Sequence, residues 1–536
     1  MNTPSSFCTI CTRKCTYELV GMLLSLSIHH NNAKVFIICD TYTKNCIEEM
    51  TPSLLLDIEF YVKLDQYSNL SRGQMEMMNI WNDFQMMKAY VIEFALKKKE
   101  DVMYLDCDII ILQPLNFIDK NYELGLSPHY CQKSDTDKVG YYNGGILWTK
   151  HKQIPDDWKK YTKTSRFHDQ ASLEDLKNIY NTQEFDESVN FGWWRVLLVE
   201  NKTEIVSNIQ IYNQNICYKN KPIYFIHTHL HDKRFTQFNN IFLNFFVKLK
   251  QYKELAIFYR ILYDKWVIKL PKQPLPHPWG HANDSFRELL YLYKNKNKDI
   301  KIVENEKCGH IWFHPNILLY DRPTSLWFNK QVEICSVLYL GNGSMKNEGN
   351  ILKNRNVNVK PWIFWPRNPK LVEQNRDKLL CYAERNIESI FIGNYENNVQ
   401  EKHRTNTEWG KVITEFHNTK ENKHKFTQQE YLDLLKKSKY GLCLRGFGSK
   451  CHREVELMAF GTIPLITKEV SLSYLDPLIE NKHFLFIDSP EQYKTIVDSI
   501  SEEKWVEMSN ECIKWYNKNI DSINGWNTFL TKFFYS

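Results

Sequence analysis

The stretch Asp101-Val-Met-Tyr-Leu-Asp-Cys-Asp-Ile-Ile-Ile-Leu-Gln-Pro-Leu115 constrains this chain most, because it sets two carboxylates, Asp106 and Asp108, inside an apolar run. Val102 to Leu105 has the composition of a buried strand, and residues at i and i+2 of an extended chain point to the same side. Two converging charges in a buried segment are costly unless a cation compensates them. An isolated Asp-x-Asp is common in solvated turns, but the apolar runs on both sides argue here for a metal site. Ligands of open α/β sheets gather at the carboxyl ends of strands. Hard oxygen donors there suit Mn2+ or Mg2+ carrying a phosphorylated substrate such as a nucleoside diphosphate.

A chain of 536 residues has room for more than one domain, and 43% hydrophobic with 14% aromatic residues marks it as globular. The net charge of +6, from 69 basic and 63 acidic residues, is too even for a nucleic-acid groove, so no nucleic-acid partner is expected. The 14 cysteines are scattered. Cys39, Cys107 and Cys443 fall in apolar strand-like runs, and all are expected to be reduced. Cys8, Cys11 and Cys15 are spaced like half a zinc knuckle, but no second Cys-x-x-Cys or paired histidine completes it, so no zinc site is expected. Leu19 to Ile28 is too short for a membrane span and no signal pattern precedes it. A cytoplasmic location follows as an expectation, with the sequons at Asn69, Asn201, Asn283 and Asn342 left bare. The Lys-, Asn- and Ile-rich usage suggests an AT-rich genome, such as that of a large DNA virus, hence host cytoplasm, or a protist.

The chain opens as a βαβ unit: a strand over Phe7 to Thr12, a helix over Tyr17 to His30, and a strand over Lys34 to Asp40. An acid at that strand end either meets a ribose or base edge or caps a helix, so Asp40 has two readings. Thr12 and Tyr17 flank the first strand-to-helix turn. Trp81 to Leu96 reads as a helix carrying Lys88, which is either a cation near the diphosphate or a solvated helix lysine. In Tyr141 to Thr149, Asn143, Gly144 and Gly145 read as a turn that lets backbone approach a ligand before a new strand begins. His168-Asp-Gln-Ala-Ser-Leu173 starts a helix with Leu173 and Leu176 facing inward, and Asp169 is either a site carboxylate or an N-cap. In Pro222 to Lys233, the histidines His227, His229 and His231 share one face at period two, and one of them completes the metal shell.

Taken together, the Asp-ended second strand, Tyr-Leu-Asp-Cys-Asp, Asn-Gly-Gly, His-Asp-Gln and Ile-His-Thr-His resemble, in that order, the glycogenin-like family-8 glycosyltransferases of the GT-A fold, over roughly residues 5 to 240. The resemblance implies metal-dependent transfer of a sugar, with retention, from a nucleotide-diphosphate sugar such as a UDP-sugar to a glycan or protein acceptor. It implies Asp106, Asp108 and His227 as metal ligands, with His227 following the strand Ile223 to Ile226 as the family ligand does. It assigns Thr9, Thr12, Tyr17, Asp40, Lys88, Asn143, Gly144, Gly145 and Lys233 to the nucleotide sugar, and Asp169 and Gln170 to the catalytic position. The family's His-Phe-x-Gly-x-x-Lys-Pro-Trp ending stands here as His227-Thr-His-Leu-His-Asp-Lys233. A metal-dependent nucleotidyltransferase is the rival for this half.

Pro-Lys-Gln-Pro-Leu-Pro-His-Pro, between Leu270 and Trp279, suits neither helix nor sheet. It is expected to be a linker over 271–280 between domains at 1–270 and 281–536. The second half reads as another α/β unit, with strand-to-glycine turns after Val332 to Leu340 and around Trp362 to Trp365 and Ser389 to Gly393. Its centre is Tyr440 to Ile466: strand, glycine loop, helix, strand. Gly446 and Gly448 open the backbone, and the helix N-terminus beside Arg445, Lys450 and Arg453 would receive a phosphate without metal. Glu454 and Glu456 follow, placed for ribose or sugar hydroxyls. From about Tyr431 to Ile466 this half resembles the exostosin-like GT-B glycosyltransferases, which implies an inverting second site. The alternative is a silent nucleotide- or glycan-binding module. The expected fold is therefore α/β throughout, a GT-A domain followed by a GT-B-like one.

Overall fold

Strand β1 (Phe7–Cys11) is buried along its whole length, and so is β2 (Lys34–Cys39) beyond its first residue. Continuous apolar runs of this kind belong to parallel strands covered on both faces. Between them, helix α1 (Thr16–His29) is apolar nearly all round and correspondingly buried. In this computed structural model the described residues are 3–50, 53–272, 280–305, 311–314, 317–320, 337–340, 358–361, 365–406, 408–420, 425–446 and 448–535. They divide into two units, Met1–Asp264 with Phe534–Ser536, and Lys265–Phe533. Among them no helix is long and apolar enough to cross a membrane.

The first unit is built on a seven-stranded mixed sheet in the order β3-β2-β1-β4-β7-β6-β8. Its further strands are β3 (Asp57–Val62), β4 (Val102–Leu105), β6 (Leu124–Pro128), β7 (Tyr142–Thr149) and β8 (Thr182–Glu184). β1, β2, β3 and β4 run parallel, so Cys11, Cys39 and Leu105 end at one edge of the sheet. Helix α2 (Thr41–Met50) follows β2, and helix α3 (Trp81–Leu96) crosses the sheet, burying Ala89, Ile92, Ala95 and Leu96 against Cys8, Ile10, Phe36, Ile38 and Tyr104. Each fully buried Leu or Ile side chain contributes roughly 1.5–3 kcal/mol. The packing of α3 is therefore well determined, and with it the position of every residue on its inner face.

After β4 the chain leaves this sheet. Strand β5 (Ile109–Ile111) joins a three-stranded sheet, β5-β13-β9, with β9 (Asn190–Gly192) and β13 (Phe225–His227). A further antiparallel sheet is formed by β10 (Ile209–Tyr212), β11 (Asn215–Tyr218) and β12 (Lys221–Pro222).

The second unit carries a six-stranded mixed sheet that includes β14 (Trp266–Pro271), and a five-stranded sheet that is parallel throughout. The parallel sheet holds Ile387–Tyr395, Ser438–Cys443 and Ile463–Ile466, the last two joined by the eight-residue helix His452–Ala459. The expected linker at 271–280 overlaps the last residue of β14. Its proline-rich core at 273–279 lies outside the described residues, as do the glycine turn at 341–344 and residues 362–364.

Candidate functional site

Asp106 and Asp108 stand at the sheet edge where β1, β2 and β4 end, in the turn that carries the chain from β4 to β5. The expected extended geometry is therefore replaced by a corner: the two carboxylates converge because the backbone turns between two sheets, not because they alternate on one strand. Asp106 is anchored by its amide, which donates to Gly145 O at 2.8 Å, and by the Tyr104 hydroxyl, which donates to Oδ1 at 2.6 Å. Asp108 is anchored through its carbonyl, which accepts from the Thr228 amide at 2.8 Å.

That last contact brings in β13. Pairing of His227 with Ile109 puts the imidazole against the turn, with Nε2 2.8 Å from Asp108 Oδ1 and 4.0 Å from Asp106 Oδ2. Donor atoms of Asp106, Asp108 and His227 all lie within 4.8 Å of one another. Burial pushes the Asp108 carboxyl up, but His227 and His229 outweigh it and hold it at about 2. Burial works against His227 charging too, and Asp108 nevertheless lifts it above the ordinary histidine value. The two hard oxygens with one imidazole nitrogen fit Mn2+ or Mg2+.

The three histidines do not share a face, because β13 ends at His227. His229 Nδ1 lies 3.0 Å from Asp108 Oδ2, on the other side of that carboxylate. His231 turns away to Ile261 O at 2.7 Å and packs edge-on against Tyr17.

Lys88 is not the solvated lysine its helix position allowed. It lies one turn from Ile92 on the buried stripe of α3, 6% exposed, and its ammonium meets Gly144 O at 3.1 Å, Asp169 Oδ2 at 3.1 Å and Asp106 Oδ1 at 3.3 Å. Burial opposes its charge, but Asp106 and Asp169 outweigh burial and raise its pKa above the ordinary lysine value. Lys88→Met should leave two carboxylates without their cation. We expect a loss of about 3–5 kcal/mol, read as a lower urea midpoint of the first unit.

Asp169 belongs to the short helix His168–Ala171, whose N-cap is Phe167 without a side-chain cap, so the carboxylate is not a helix cap. His168 before it takes φ 44°, an uncommon conformation for a residue with a side chain. Gln170 donates to Val139 O at 3.1 Å.

Asn143, Gly144 and Gly145 lie inside β7 and not in a turn ahead of it. The glycines serve packing. A Cβ on Gly144 would stand 2.7 Å from Asp169 Oδ2, and one on Gly145 would stand 2.6 Å from His227 Cε1 and 2.7 Å from Asp106 Oδ2. Asn143 Oδ1 accepts from the Gly145 amide at 3.0 Å and from Asn190 Nδ2 at 3.2 Å, so it braces the site from below.

Asp40 caps α2: Oδ1 accepts from the Thr43 amide at 2.8 Å, and Oδ2 from the Arg13 amide at 2.7 Å. Burial would raise its pKa, but hydrogen bonds from Ser68, Thr43 and Arg13 hold it below the ordinary value. Thr9 is fully buried in β1, opposite Ile37, and its hydroxyl has no partner among the described residues. Thr12 lies just past the end of the strand, and Lys233 is exposed in a short 3-10 turn. Glu18 and Tyr104 were not singled out from sequence. Glu18 had a signal, as a carboxylate at the head of an otherwise apolar helix.

In the second unit the expected phosphate loop is largely occupied by its own side chains. Glu456 accepts from the Arg367 amide at 2.8 Å and the Tyr431 hydroxyl at 2.7 Å. Glu454 caps its own helix by accepting from the Cys451 amide, which takes up a donor expected to face phosphate. Lys450 donates to Ser473 O and sits 4.1 Å over the Tyr474 ring. Arg453 donates to Ile392 O and stacks on Phe391, while its Nε and Nη1 are buried with no partner among the described residues. Arg445 gives its carbonyl to Arg404 Nε at 3.0 Å. A Cβ on Gly446 would meet Cys451 Sγ at 2.5 Å, and Gly448 is buried.

Burial lifts Glu454 to about 7 against the pull of Arg453, and drives Lys450 down to about 7 against Glu454. The folded state therefore binds more protons than the unfolded one while Glu454 titrates, and fewer while Lys450 does. Stability of the second unit should fall as pH rises from about 4.5 to about 7, then recover toward pH ~10. Urea midpoints followed by tryptophan fluorescence would trace this, and Glu454→Gln should shrink the acid-side fall, with burial of Glu456 supplying the remainder.

No protein-family model matches the sequence, and comparison with curated protein sequences finds no match. Among solved structures, the galactosyltransferase LgtC in complex with donor and acceptor sugar analogs is similar over 43% of this chain and 94% of its own, at 14% identity and a TM-score of 0.30. Mouse xyloside xylosyltransferase 1 is similar over 42% of this chain and 97% of its own, at 10% identity and a TM-score of 0.28. The glycosyltransferase GlyE of Streptococcus pneumoniae TIGR4 is similar over 92% of this chain and 98% of its own, at 10% identity and a TM-score of 0.32.

Proposed function

We propose that the chain is a glycosyltransferase whose first unit transfers a sugar from a nucleotide-diphosphate sugar, a UDP-sugar foremost, to a glycan or protein acceptor. The observation that carries this is the convergence of Asp106, Asp108 and His227 at the carboxyl edge of the parallel strands, beside the Lys88–Asp169 pair. Sugar transfer needs stabilisation of the departing diphosphate, on which charge grows as the glycosidic bond breaks. A divalent cation held by the three ligands supplies that charge when bound. Asp106, Asp108 and His227 would hold the cation, Lys88 fixes Asp106 and Asp169 in register, and Asp169 with Gln170 faces the sugar. Lys233, exposed and unburdened by an ion pair among the described residues, is the mobile charge for the diphosphate. Retention of configuration belongs to this reading.

For the second unit, the internal partners of Glu456, of Lys450 and of one Glu454 oxygen favour a nucleotide- or glycan-binding module over a second catalytic site. The exostosin-like, metal-independent site remains the competing assignment. A screen of nucleotide sugars with the full chain, Mn2+ present or chelated, tests both. Release of nucleoside diphosphate only with Mn2+ supports the first-unit reading, and release that survives the chelator would restore the second site. Release of nucleoside monophosphate with sugar phosphate would replace both by nucleotidyl chemistry.

A further inference from the structure

Cys107 stands between the two carboxylates in the β4–β5 turn. Near it stand Cys15, at the head of α1, and Cys11, at the end of β1. The Glu18 carboxylate lies one helical turn along from Cys15. Donor atoms of Cys15, Glu18 and Cys107 lie within 4.8 Å of one another. Glu18 is 6% exposed, and no lysine or arginine pairs with it among the described residues; His229 Nδ1 approaches to 4.0 Å. Cys15 and Cys107 are half-buried as residues.

We infer that Cys15, Cys107 and Glu18 form a second cation site, selective for a thiophilic divalent ion such as Zn2+ and distinct from the oxygen-rich triad next to it. Two thiolates on a tetrahedral zinc stand about 3.8 Å apart, since each Zn–S bond is about 2.3 Å, and the observed spacing admits that geometry. Sulfur donors select zinc, whereas the carboxylates of Asp106 and Asp108 select Mn2+ or Mg2+, so the two sites sort their ions by ligand softness. Each thiol releases its proton to solvent as the ion takes its sulfur. Cys8-x-x-Cys11 is not the ligand pair. The second thiol comes from the β4–β5 turn, 92 residues beyond Cys15 in the sequence, which is why no knuckle spacing announces it. Glu18 also belongs with Asp108 and His229 to an adjoining group of donors, so an ion on the thiols bears directly on the turn that holds both aspartates.

Co2+ is the probe. Titrated into the reduced, full-length protein, one equivalent should give the sulfur-to-cobalt charge-transfer absorption of a thiolate complex. That absorption should be lost in Cys15→Ser and in Cys107→Ser, kept in Asp106→Asn and His227→Ala, and reversed by one equivalent of Zn2+. Failure of the triad reading would instead show as unchanged Mn2+ binding in the last two variants, so the two ideas fall separately. Absence of the band from protein whose thiols titrate as reduced would overturn the inference. So would its persistence in both serine variants, or a mass two hydrogens low that reports a Cys15–Cys107 disulfide in place of two thiolates.

Discussion

Asp108→Asn is expected to abolish Mn2+-dependent sugar transfer by at least about 100-fold, because even outer partners of a metal site cost 10–100-fold when removed. The carboxylate is the hub of the site: one oxygen faces His227 at 2.8 Å and the other His229 at 3.0 Å. Asparagine keeps the shape and one acceptor, and His227 can give up its proton, so the far-ultraviolet circular dichroism should not change. Calorimetry with Mn2+ and a nucleotide-sugar hydrolysis assay measure the two halves of the claim. Mn2+-dependent turnover at the wild-type rate would sink the ligand assignment.

Gly145→Ala should be nearly as severe, and for a steric reason. The added Cβ would lie 2.6 Å from His227 Cε1, 2.7 Å from Asp106 Oδ2 and 2.9 Å from Asn143 Oδ1, at a residue whose own carbonyl holds the Asp106 amide, so the strand is tied to the site there. Overpacking of this kind costs about 1–3 kcal/mol. Displacing a reacting constellation by about 1 Å costs on the order of 100-fold in rate. Gly73→Ala supplies the control, since nothing lies within 4 Å of its Cβ position in the helix Arg72–Met77; it should gain a few tenths to about 1 kcal/mol and keep full activity. Equal activity of the two variants would mean that the triad does not need the close approach of β7.

The parts of this site that could be read from sequence are those set by local periodicity. The opening strands, α1 and α3 follow their apolar patterns to within a residue. The burial of Lys88 was latent in the same pattern, because Lys88, Ile92 and Leu96 fall on one stripe at four-residue spacing; the charge drew attention outward when the spacing pointed inward. What could not be read is the turn chemistry that depends on a second sheet. An Asp-x-Asp on a straight strand and one at a corner look identical in sequence, and only the pairing of Ile109 with His227 tells them apart. Asn143-Gly-Gly likewise reads as a turn until strands on either side demand room. In the second unit, the partners of Glu456 are Arg367 and Tyr431, 89 and 25 residues away, and no spacing rule reaches them.

The corner between β4 and β5 divides the donor triad between two sheets. Asp106 rides on the seven-stranded sheet, whereas Asp108 and His227 ride on the three-stranded one, so the gap between the donors is a gauge of how the layers rest on each other. Substitutions in the packing between those layers, with no atom near the carboxylates, would register there as altered donor spacing. An ion seated across the gap would work as a rivet, and RT ln(1 + [ion]/Kd) would give its grip: about 2.7 kcal/mol at a hundredfold excess over Kd. Layer packing and ion affinity in the first unit would in this sense be one variable, adjustable from either end.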